Sequence, residues 1–416
     1  MFFYNLPVKP IKMKFLNYLL AALLLLQIMS CSRQPDADRF SLWDGKHLKE
    51  VKSLRKSPAS PYRAAYEKML SEAGKALNEG PYSVTFKDVV PPGGTKNDYL
   101  SMGPYWWPDP SKPDGLPYIR RDGEINPESG LDRTQMRNMV EGVRLLSLAW
   151  YFTGEKQYTE KAAELLRVWF IDKETLMNPH LEYGQAIPGR TTGRGIGIID
   201  TKSLSTLVDA IIVVEASGAL KKKEEEVIRK WFADFFEWLT TSQHGKDEDV
   251  YINNHSVAYD VQVTSIARYL GNDAYVRQKI SAIPAARMEH MIKADGRQPH
   301  ELIRTRAYSY SVSNLGNFFD NGEIGLKVGV DIFNHVNAEG GSLQKALEFL
   351  IDYLGRESEW PWEQITDWEQ TENSLGLLIR RAARYYNNPE YQIIWDQTFS
   401  KRLGDHWTLL TTPGLN

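Results

Sequence analysis

Hydrophobic residues recur at steps of three and four along most of the chain, which is the spacing of amphipathic helices. The same spacing predicts helices over 158–170, 204–216 and 224–239. No convincing run of alternating apolar and polar residues, the pattern of a half-buried strand, precedes the C-terminal region. The clearest predicted helix has its apolar positions at Met136, Met139, Val140, Val143, Leu146 and Trp150. The pattern therefore favours an all-α fold.

A short pattern occurs three times, at 149–158, 267–275 and 383–391. Each copy consists of a helix end, a tight polar turn and a Tyr that enters the next helix. Repeated hairpins of long helices are typical of an α/α toroid, an incomplete barrel of helical hairpins, rather than of a four-helix bundle. We therefore predict an α/α toroid, whose concave mouth is where connecting loops can gather functional groups.

Three long stretches interrupt the predicted helices. Residues 91–128 are rich in Pro, Gly and aromatic residues, residues 178–200 are rich in Gly and Arg, and residues 295–317 join two helical regions. Loops of this length inside a compact domain are usually functional or disordered. Their Trp, Tyr and Arg content argues against disorder. We expect these loops to form an active-site cleft.

The N-terminal region has the features of a bacterial export signal. Lys14 follows Met13, an alternative start, and precedes an apolar run over 16–29 that is short for a membrane span. The run ends at Ile28-Met29-Ser30-Cys31, which resembles a lipobox because an aliphatic residue lies three positions before the Cys and a small residue directly before it. Cys31 is the only cysteine, so an internal disulfide is excluded.

These features predict how the chain is organised and where it resides. We expect a lipoprotein-type signal peptide over 1–31, a polar tether over 32–39 and a single toroid domain over 40–416. Contact with a membrane is expected only through a lipid anchor at Cys31. A plain signal peptide with an incidental cysteine is the alternative. In either case the location is outside the inner membrane of a Gram-negative bacterium, in the periplasm or on the outer membrane.

Composition excludes one class of partner. The 416 residues carry a formal net charge of −3, without the dense basic stripe of a nucleic-acid binder. A polyanionic substrate would need a local basic patch, because the global field does not attract it. The chain contains 12 Trp and 21 Tyr, which suit either stacking on sugar rings or a large helical core.

Two segments supply side chains suited to one type of chemistry. Asn253-Asn254-His255 precedes a predicted helix, and Glu301-Leu302-Ile303-Arg304 leads into Tyr310-Ser311. Together they offer an amide, an imidazole, a guanidinium and a phenol. In a uronic-acid polymer the proton on C5 lies beside a carboxylate. Its removal requires neutralisation of that carboxylate, a base at C5 and an acid for the leaving O4.

The same residues also have purely structural interpretations. Asn is a good helix cap, which would account for Asn253 and Asn254. The second segment would then hold an ion pair between Glu301 and Arg304 beside core tyrosines. Tyr308 and Tyr310 would face the same side only in an extended segment, and they would diverge on a helix.

Asn254-His255, the run Glu301-Leu302-x-Arg304 and Tyr310-Ser311 together resemble the signature of alginate lyases with an α/α-toroid fold. The aromatic loop at 98–108 is similar to that family's aromatic segment. The resemblance covers roughly 97–363 and is to polysaccharide lyase family 38 in particular, which contains alginate- and glucuronan-cleaving enzymes.

The resemblance implies a role for each residue of the signature. Asn254 and Arg304 would neutralise the substrate carboxylate, His255 would be a base, and Tyr310 the acid or both acid and base. The better-known alginate lyases of this fold place a His directly after this Tyr, where the present chain has Ser311. This departure leaves the preferred uronic acid open.

Other loop residues are predicted to bind substrate. Guanidinium pairs bind carboxylates bidentately, although Arg190 and Arg194 are equally explained as exposed loop charge. The aromatic side chains at 105–107 would either stack on sugars or fill the core of the toroid. The predicted substrate-binding residues are Tyr105, Trp106, Trp107, Gln185, Arg190, Arg194 and Tyr308.

The sequence thus predicts a lyase that cleaves an acidic polysaccharide by β-elimination without a metal or another cofactor. The eight histidines show no spacing of the zinc-enzyme kind. Two alternatives stay open. One is a lipid-anchored glycan-binding protein. The other is a toroid glycoside hydrolase, which needs two carboxylates, and the acids considered for it are Asp98, Asp109, Glu301 and Glu363.

Overall fold

The computed structural model describes residues 34–366 and 368–415. The predicted signal peptide and the lipidation of Cys31 lie outside these residues. Within the described ranges, every helix is too short or too polar to cross a lipid bilayer.

Helices make up most of the regular structure. In chain order the α-helices are α1 (Gly45–Leu54), α2 (Arg63–Ala76), α3 (Leu131–Thr153), α4 (Lys156–Phe170), α5 (Leu204–Ser217), α6 (Lys222–Thr241), α7 (Gln243–Asp249), α8 (Asn254–Tyr269), α9 (Asp273–Ile283), α10 (Glu289–Met291), α11 (Pro299–Leu302), α12 (Ala307–Lys327), α13 (Leu343–Ile351), α14 (Trp368–Tyr385), α15 (Pro389–Ile394) and α16 (Ser400–Leu403). Turns of π-helix extend α9 over Pro284–Met288 and α15 over Trp395–Phe399.

The remaining elements are short. Turns of 3₁₀-helix lie at Ala37–Arg39, Val84–Phe86, Pro127–Ser129, Gly195–Thr201, Glu357–Glu359 and Trp407–Leu410. The strands are β1 (Leu100–Met102), β2 (Trp106–Trp107), β3 (Ile119–Arg120) and β4 (Tyr183–Ala186). β1 pairs with β4 in parallel, and β2 pairs with β3 antiparallel. The prediction of an all-α fold is confirmed.

The helices pack as a ring of hairpins. Helices α3, α5, α8, α12 and α14 contact one another in that order, and each also packs against one or two of the helices α4, α6, α9, α13 and α15. Nearly every residue of α8 is buried, as expected for an inner helix enclosed by neighbours. The predicted α/α toroid is therefore confirmed.

The three-fold sequence pattern corresponds to three equivalent helix ends. After α3, α8 and α14 the chain passes through a left-handed residue, Gly154 (φ 80°), Gly271 (φ 82°) or Asn387 (φ 47°). Such a residue ends a helix because it turns the backbone away from the helix axis. The Tyr of each copy then lies in the next helix, as predicted. The four helices predicted from apolar spacing match α3 to α6.

The prediction of an irregular stretch over 295–317 is wrong from Ala307 onward, where α12 begins. Polar residues of this segment, among them Asn314 and Asn317, are buried, so the apolar spacing that identifies other helices is absent. A distant residue also caps the helix, since Gln364 Oε1 accepts hydrogen bonds from the backbone N–H groups of Tyr308 (3.0 Å) and Ser309 (3.3 Å).

The segment before α1 packs against helix α5 of the ring. Arg39 forms an ion pair with Glu215 at 3.2 Å, within the stretch predicted as a tether. The buried carboxylate of Asp209 accepts backbone N–H bonds from Ser41, Leu42 and Trp43 at 2.6–2.8 Å. The predicted limits of tether and domain remain predictions.

Pairing of β1 with β4 brings the loop over 91–128 beside the loop over 178–200. Gly103 N–H also donates to the Ala186 carbonyl at 2.9 Å, which continues the contact past the strands. Both loops therefore reach the N-terminal ends of α8 and α12.

Candidate active site

A cavity of about 610 Å³ lies where these loops meet the starts of α8 and α12. Both short strand pairs contribute to its wall. The predicted site residues that line it are Tyr105, Trp106, Gln185, Arg194, Asn254, His255, Arg304 and Tyr310. The fold thus brings the four predicted catalytic residues together from two separate segments of the chain.

The prediction that Tyr308 binds substrate is wrong. α12 is helical from Ala307, so Tyr308 and Tyr310 point to different sides. Tyr308 is fully buried and stacks on Trp368, with ring centres 4.1 Å apart. Its hydroxyl donates to the Leu350 carbonyl at 3.4 Å. It belongs to the aromatic core between α12 and α14.

Trp107 and Arg190 lie outside the lining of the cavity, so their role in substrate binding stays a prediction. The Trp107 indole donates to the Glu124 carbonyl at 3.0 Å. Arg190 donates to the Tyr118 carbonyl at 2.9 Å, and its guanidinium lies 5.2 Å from the centre of the Trp106 ring. Arg190 therefore supports the aromatic wall from behind.

His255 is held at the start of α8 by two contacts. Its backbone N–H donates to the side chain of Asn253, the helix cap, at 3.1 Å. Its ring Nδ1 lies 2.8 Å from Oε1 of Glu248, a fully buried carboxyl group. Burial raises the pKa of Glu248, and the neighbouring imidazole opposes that rise. With Nδ1–H donating to this carboxylate, Nε2 is the nitrogen that is left to accept a proton.

Glu248 is a residue that the sequence analysis does not identify. We expect it to orient the His255 ring and to stabilise the imidazolium that forms when His255 takes a proton. Glu248→Gln should lower kcat about tenfold or more, less than loss of a complete acid–base group. The acidic side of the pH–rate profile should also change, because Gln cannot ionise where Glu248, whose pKa burial raises, can. The measurement is kcat against pH.

Asp247→Asn is the matched control, since Asp247 is the exposed neighbour and bonds only Gln243, at 2.7 Å, among the described residues. It should keep the wild-type rate and profile. A Glu248→Gln enzyme with an unmoved pH profile would show that Glu248 has no more than a structural role.

Asn254 is fixed by a bidentate contact. Its backbone N–H and side-chain Nδ2 donate to the two carboxyl oxygens of Glu301 at 2.6 and 2.8 Å. Glu301 is 1% exposed, and burial raises its pKa while the hydrogen bonds from Asn254 oppose the rise. Asn253 is thus the helix cap and Asn254 is not, while Glu301 binds Asn254 rather than Arg304. The structural interpretation is therefore confirmed for Asn253 as a helix cap, and it is wrong for Asn254 and for the ion pair between Glu301 and Arg304.

Arg304 binds Asp122 and Tyr310. Its Nε and Nη2 donate to the Asp122 carboxylate at 3.1 and 3.0 Å, and Nη2 also donates to the Tyr310 hydroxyl at 3.1 Å. Burial alone would raise the pKa of Asp122, but Arg304 and then Arg120 outweigh it and lower the pKa to about 2. Asp122 is therefore ionised at neutral pH and balances one of the site's guanidinium charges.

The Tyr310 hydroxyl also forms a hydrogen bond with the Tyr105 hydroxyl. Burial raises the pKa of Tyr310 well above its ordinary value, Tyr105 adds to the rise, and Arg304 opposes it. Tyr310 is therefore a neutral phenol at physiological pH, the form that can donate a proton. Ser311, where the better-known relatives place a His, is 1% exposed and lies outside the cavity lining.

The basic patch predicted for a polyanionic substrate is present. Arg120, Arg194 and Arg304 line the cavity. Gln185 accepts from Arg194 through its backbone carbonyl (2.9 Å) and its side-chain oxygen (3.1 Å), while its amide nitrogen donates to Asp200 at 3.0 Å. Gln185 thus orients Arg194, in addition to the direct carboxylate contact predicted for it.

Among the described residues, no carboxylate lines this cavity, although a glycoside hydrolase needs two. Asp98, Asp109, Glu301 and Glu363, the acids considered for that reaction, all lie outside its lining. Asp98 is engaged by His180 at 3.0 Å and by Asn178 at 2.6 Å. Residues 34–366 and 368–415 contain no group of three or more His, Cys, Asp or Glu side chains that could hold a metal ion.

A model of the alginate lyase family matches residues 83–360. The structure is similar to the crystal structure of an alginate lyase from Bacteroides ovatus, with a TM-score of 0.87 and 41% identity over 90% of this chain and 98% of that chain. It is also similar to alginate lyase A1-III from Sphingomonas species A1, with a TM-score of 0.53 and 17% identity over 91% and 97% of the two chains.

A variant of A1-III complexed with a tetrasaccharide has a TM-score of 0.55 and 16% identity over 92% of this chain and 98% of that chain. At these identities the A1-III structures show likeness of fold alone. No curated protein sequence matches this chain.

Proposed function

The chain belongs to the alginate lyase family and is a polysaccharide lyase, and from this premise we propose that it cleaves 1,4-linked uronic-acid polymers, alginate first among them, by β-elimination. One observation carries the proposal: Asn254, His255, Arg304 and Tyr310 line a single cavity with a basic wall. Alginate as the substrate is supported by the Bacteroides ovatus enzyme, which is 41% identical and is an alginate lyase. Membership in family 38 and cleavage of glucuronan stay predictions.

In the proposed reaction Asn254 and Arg304 hold the carboxylate of the sugar that loses its C5 proton. Arg304 Nη1 and the second Nδ2–H of Asn254 are the donors that the contacts described above leave for it. Negative charge grows on this carboxylate as the proton leaves. Donors already aimed at it stabilise the transition state, and one such donor is typically worth about 10²–10³-fold in rate.

The proton transfers then balance between two residues. His255 Nε2 takes the proton from C5, the C4–O4 bond breaks, and Tyr310 gives its proton to O4. A double bond forms between C4 and C5. The imidazolium is stabilised by Glu248, and the Tyr310 phenolate by Arg304 and Tyr105. Transfer of one proton from His255 to Tyr310 through solvent restores both groups.

We place the enzyme outside the inner membrane, as a lipoprotein anchored through Cys31. The support is the apolar run over 16–29 and the lipobox-like residues that follow it.

The test is the ultraviolet absorbance of the 4,5-unsaturated uronate that a lyase leaves at each new chain end. We expect it with mannuronate-rich or guluronate-rich alginate, and none with a neutral 1,4-glucan as control. Dialysis against a chelator should leave the rate unchanged, because cationic and amide side chains already neutralise the carboxylate. New reducing ends without absorbance would indicate hydrolysis and contradict the proposal. Loss of activity on chelation, restored by one divalent ion, would contradict the metal-free mechanism.

A further inference from the structure

A second cavity, of about 460 Å³, lies between α12 and α14. It shares two walls with the active-site cavity. The first is α12: Tyr310 lines the active-site cavity, while Arg306 and Ser313, four positions before it and three after it on the same helical face, line the second. Tyr310 therefore lies on the face of α12 that also borders the second cavity.

The second shared wall is the 3₁₀-helix Gly195–Thr201 and the residue after it. Ile196 and Ile199 line the active-site cavity, and Lys202 lines the second cavity. A polymer that is bound at Tyr310 and continues into the second cavity would thus stay in contact with α12 and with this 3₁₀-helix.

The chemistry of the second cavity fits an acidic sugar. Among the described residues that line it, Lys202, Arg306 and Arg381 are cationic and Asp320 is anionic. Hydroxyl and amide groups make up much of the remaining polar lining, at Ser309, Ser313, Gln370, Thr371 and Ser374. Each uronic acid residue carries hydroxyl groups and one carboxylate, so a lining of this kind offers partners for both.

The cations differ in how firmly they are held. Arg381 is clamped between Asp320 (2.9 Å) and Glu323 (2.7 Å) and is 13% exposed. The Lys202 ammonium lies 3.3 Å from Asp320 and its side chain is 35% exposed. An ammonium group has three donors, so Lys202 can bind a substrate carboxylate while it keeps Asp320.

We propose that this second cavity extends the substrate-binding cleft and holds uronic acid residues of the polymer on one side of the bond cleaved at Tyr310, with Lys202 binding a carboxylate of these residues. The inference rests on the proposed function. Binding of remote sugars adds affinity for long substrates, and part of that binding energy can accelerate the reaction at the cleaved bond. Long chains should therefore be cleaved more efficiently than short oligosaccharides that fill only the positions beside Tyr310.

Gly316 allows a steric test. It lies on the cavity face of α12, where an added Cβ would meet only Leu378 Cδ2, at 3.9 Å. In Gly316→Phe the ring should occupy the cavity. We expect the ratio of kcat/KM for polymeric alginate to kcat/KM for a trisaccharide to fall about tenfold, the loss expected for one hydrogen bond to a charged group. The loss should grow along the series Ala, Leu, Phe.

The control is Gly74→Phe in α2, where an added Cβ meets nothing within 4 Å. Gly74 lines neither of the two cavities. It should keep the wild-type ratio. Lys202→Met keeps the side-chain volume nearly unchanged and removes the charge, so it tests the cavity independently if Gly316→Phe fails to fold. It should lower the same ratio, mainly through KM for the polymer.

The outcomes separate the two proposals. If the wild type forms no unsaturated product from any polyuronate, the proposed function fails. If the wild type is active and folded Gly316→Phe and Lys202→Met enzymes both keep its ratio, the extended cleft is wrong and the proposed function stands.

Discussion

Replacing Tyr310 with Phe should lower turnover by about 10²–10⁴-fold, the usual contribution of a positioned general acid, while substrate still binds. The phenol is the neutral donor of the site, because burial raises its pKa, and it lies within reach of Arg304 and Tyr105. Phe keeps the ring against the Arg304 guanidinium, 4.2 Å from the ring centre, and removes only the hydroxyl. Initial rates of unsaturated product formation and the affinity for alginate are measured separately.

Tyr308→Phe is a matched control, two residues away on the same helix. Its hydroxyl bonds a core carbonyl at 3.4 Å and faces away from the cavity, so the variant should keep the wild-type rate and lose about 1 kcal/mol of stability at most. A Tyr310→Phe enzyme that keeps more than a tenth of the wild-type rate would remove Tyr310 from the mechanism.

Helical spacing was sufficient to predict the outer architecture of the fold. Helices such as α3 and α4 have one apolar face, and left-handed residues such as Gly154 mark the ends of α3, α8 and α14; both are local properties of the sequence. α12 escaped prediction because its polar residues are buried and its cap, Gln364, is distant in sequence. The spacing of apolar residues cannot identify a helix whose polar side chains are buried and hydrogen-bonded inside the core.

The site likewise contains residues that a local sequence pattern marks and residues that only the fold brings into place. Asn254, His255, Arg304 and Tyr310 were found because they lie in two short segments whose side chains suit one reaction. Their partners were missed because nothing local marks them. Asp122 lies 182 residues before Arg304 and reaches it only through the fold. Glu248 lies within the acidic run 247–249, which looks like solvent-exposed charge, and it is fully buried in the structure.

The Arg304–Asp122 pair changes what Arg304 is expected to do. A lone guanidinium would attract a carboxylate by net charge, but here an ionised Asp122 balances that charge. Arg304 is therefore pre-oriented as a hydrogen-bond donor, and the additional attraction for a polyanion comes from other cations of the wall such as Arg120 and Arg194. Loss of Arg304 should consequently affect turnover more than the initial binding of the polymer.

Comparison of Arg304→Ala with His255→Ala should separate carboxylate stabilisation from proton removal. Charge grows on the carboxylate in every uronan, so Arg304→Ala should lower cleavage of all accepted substrates, by about 10²-fold or more. Arg304→Lys serves as its partner variant, because it keeps the charge and loses the bidentate contact with Asp122. Initial rates are measured on separate mannuronate-rich and guluronate-rich polymers.

His255→Ala should depend on the substrate. In guluronate the C5 proton and O4 lie on opposite faces of the sugar, so Tyr310 cannot serve both and His255 must be the base. In mannuronate and glucuronate they lie on the same face, where one Tyr could serve both, but the raised pKa of Tyr310 keeps it protonated and a neutral phenol is a poor base. Guluronate cleavage should therefore fall at least as far as mannuronate cleavage. Guluronate cleavage that is untouched in His255→Ala would show that another group near the start of α8 removes the proton.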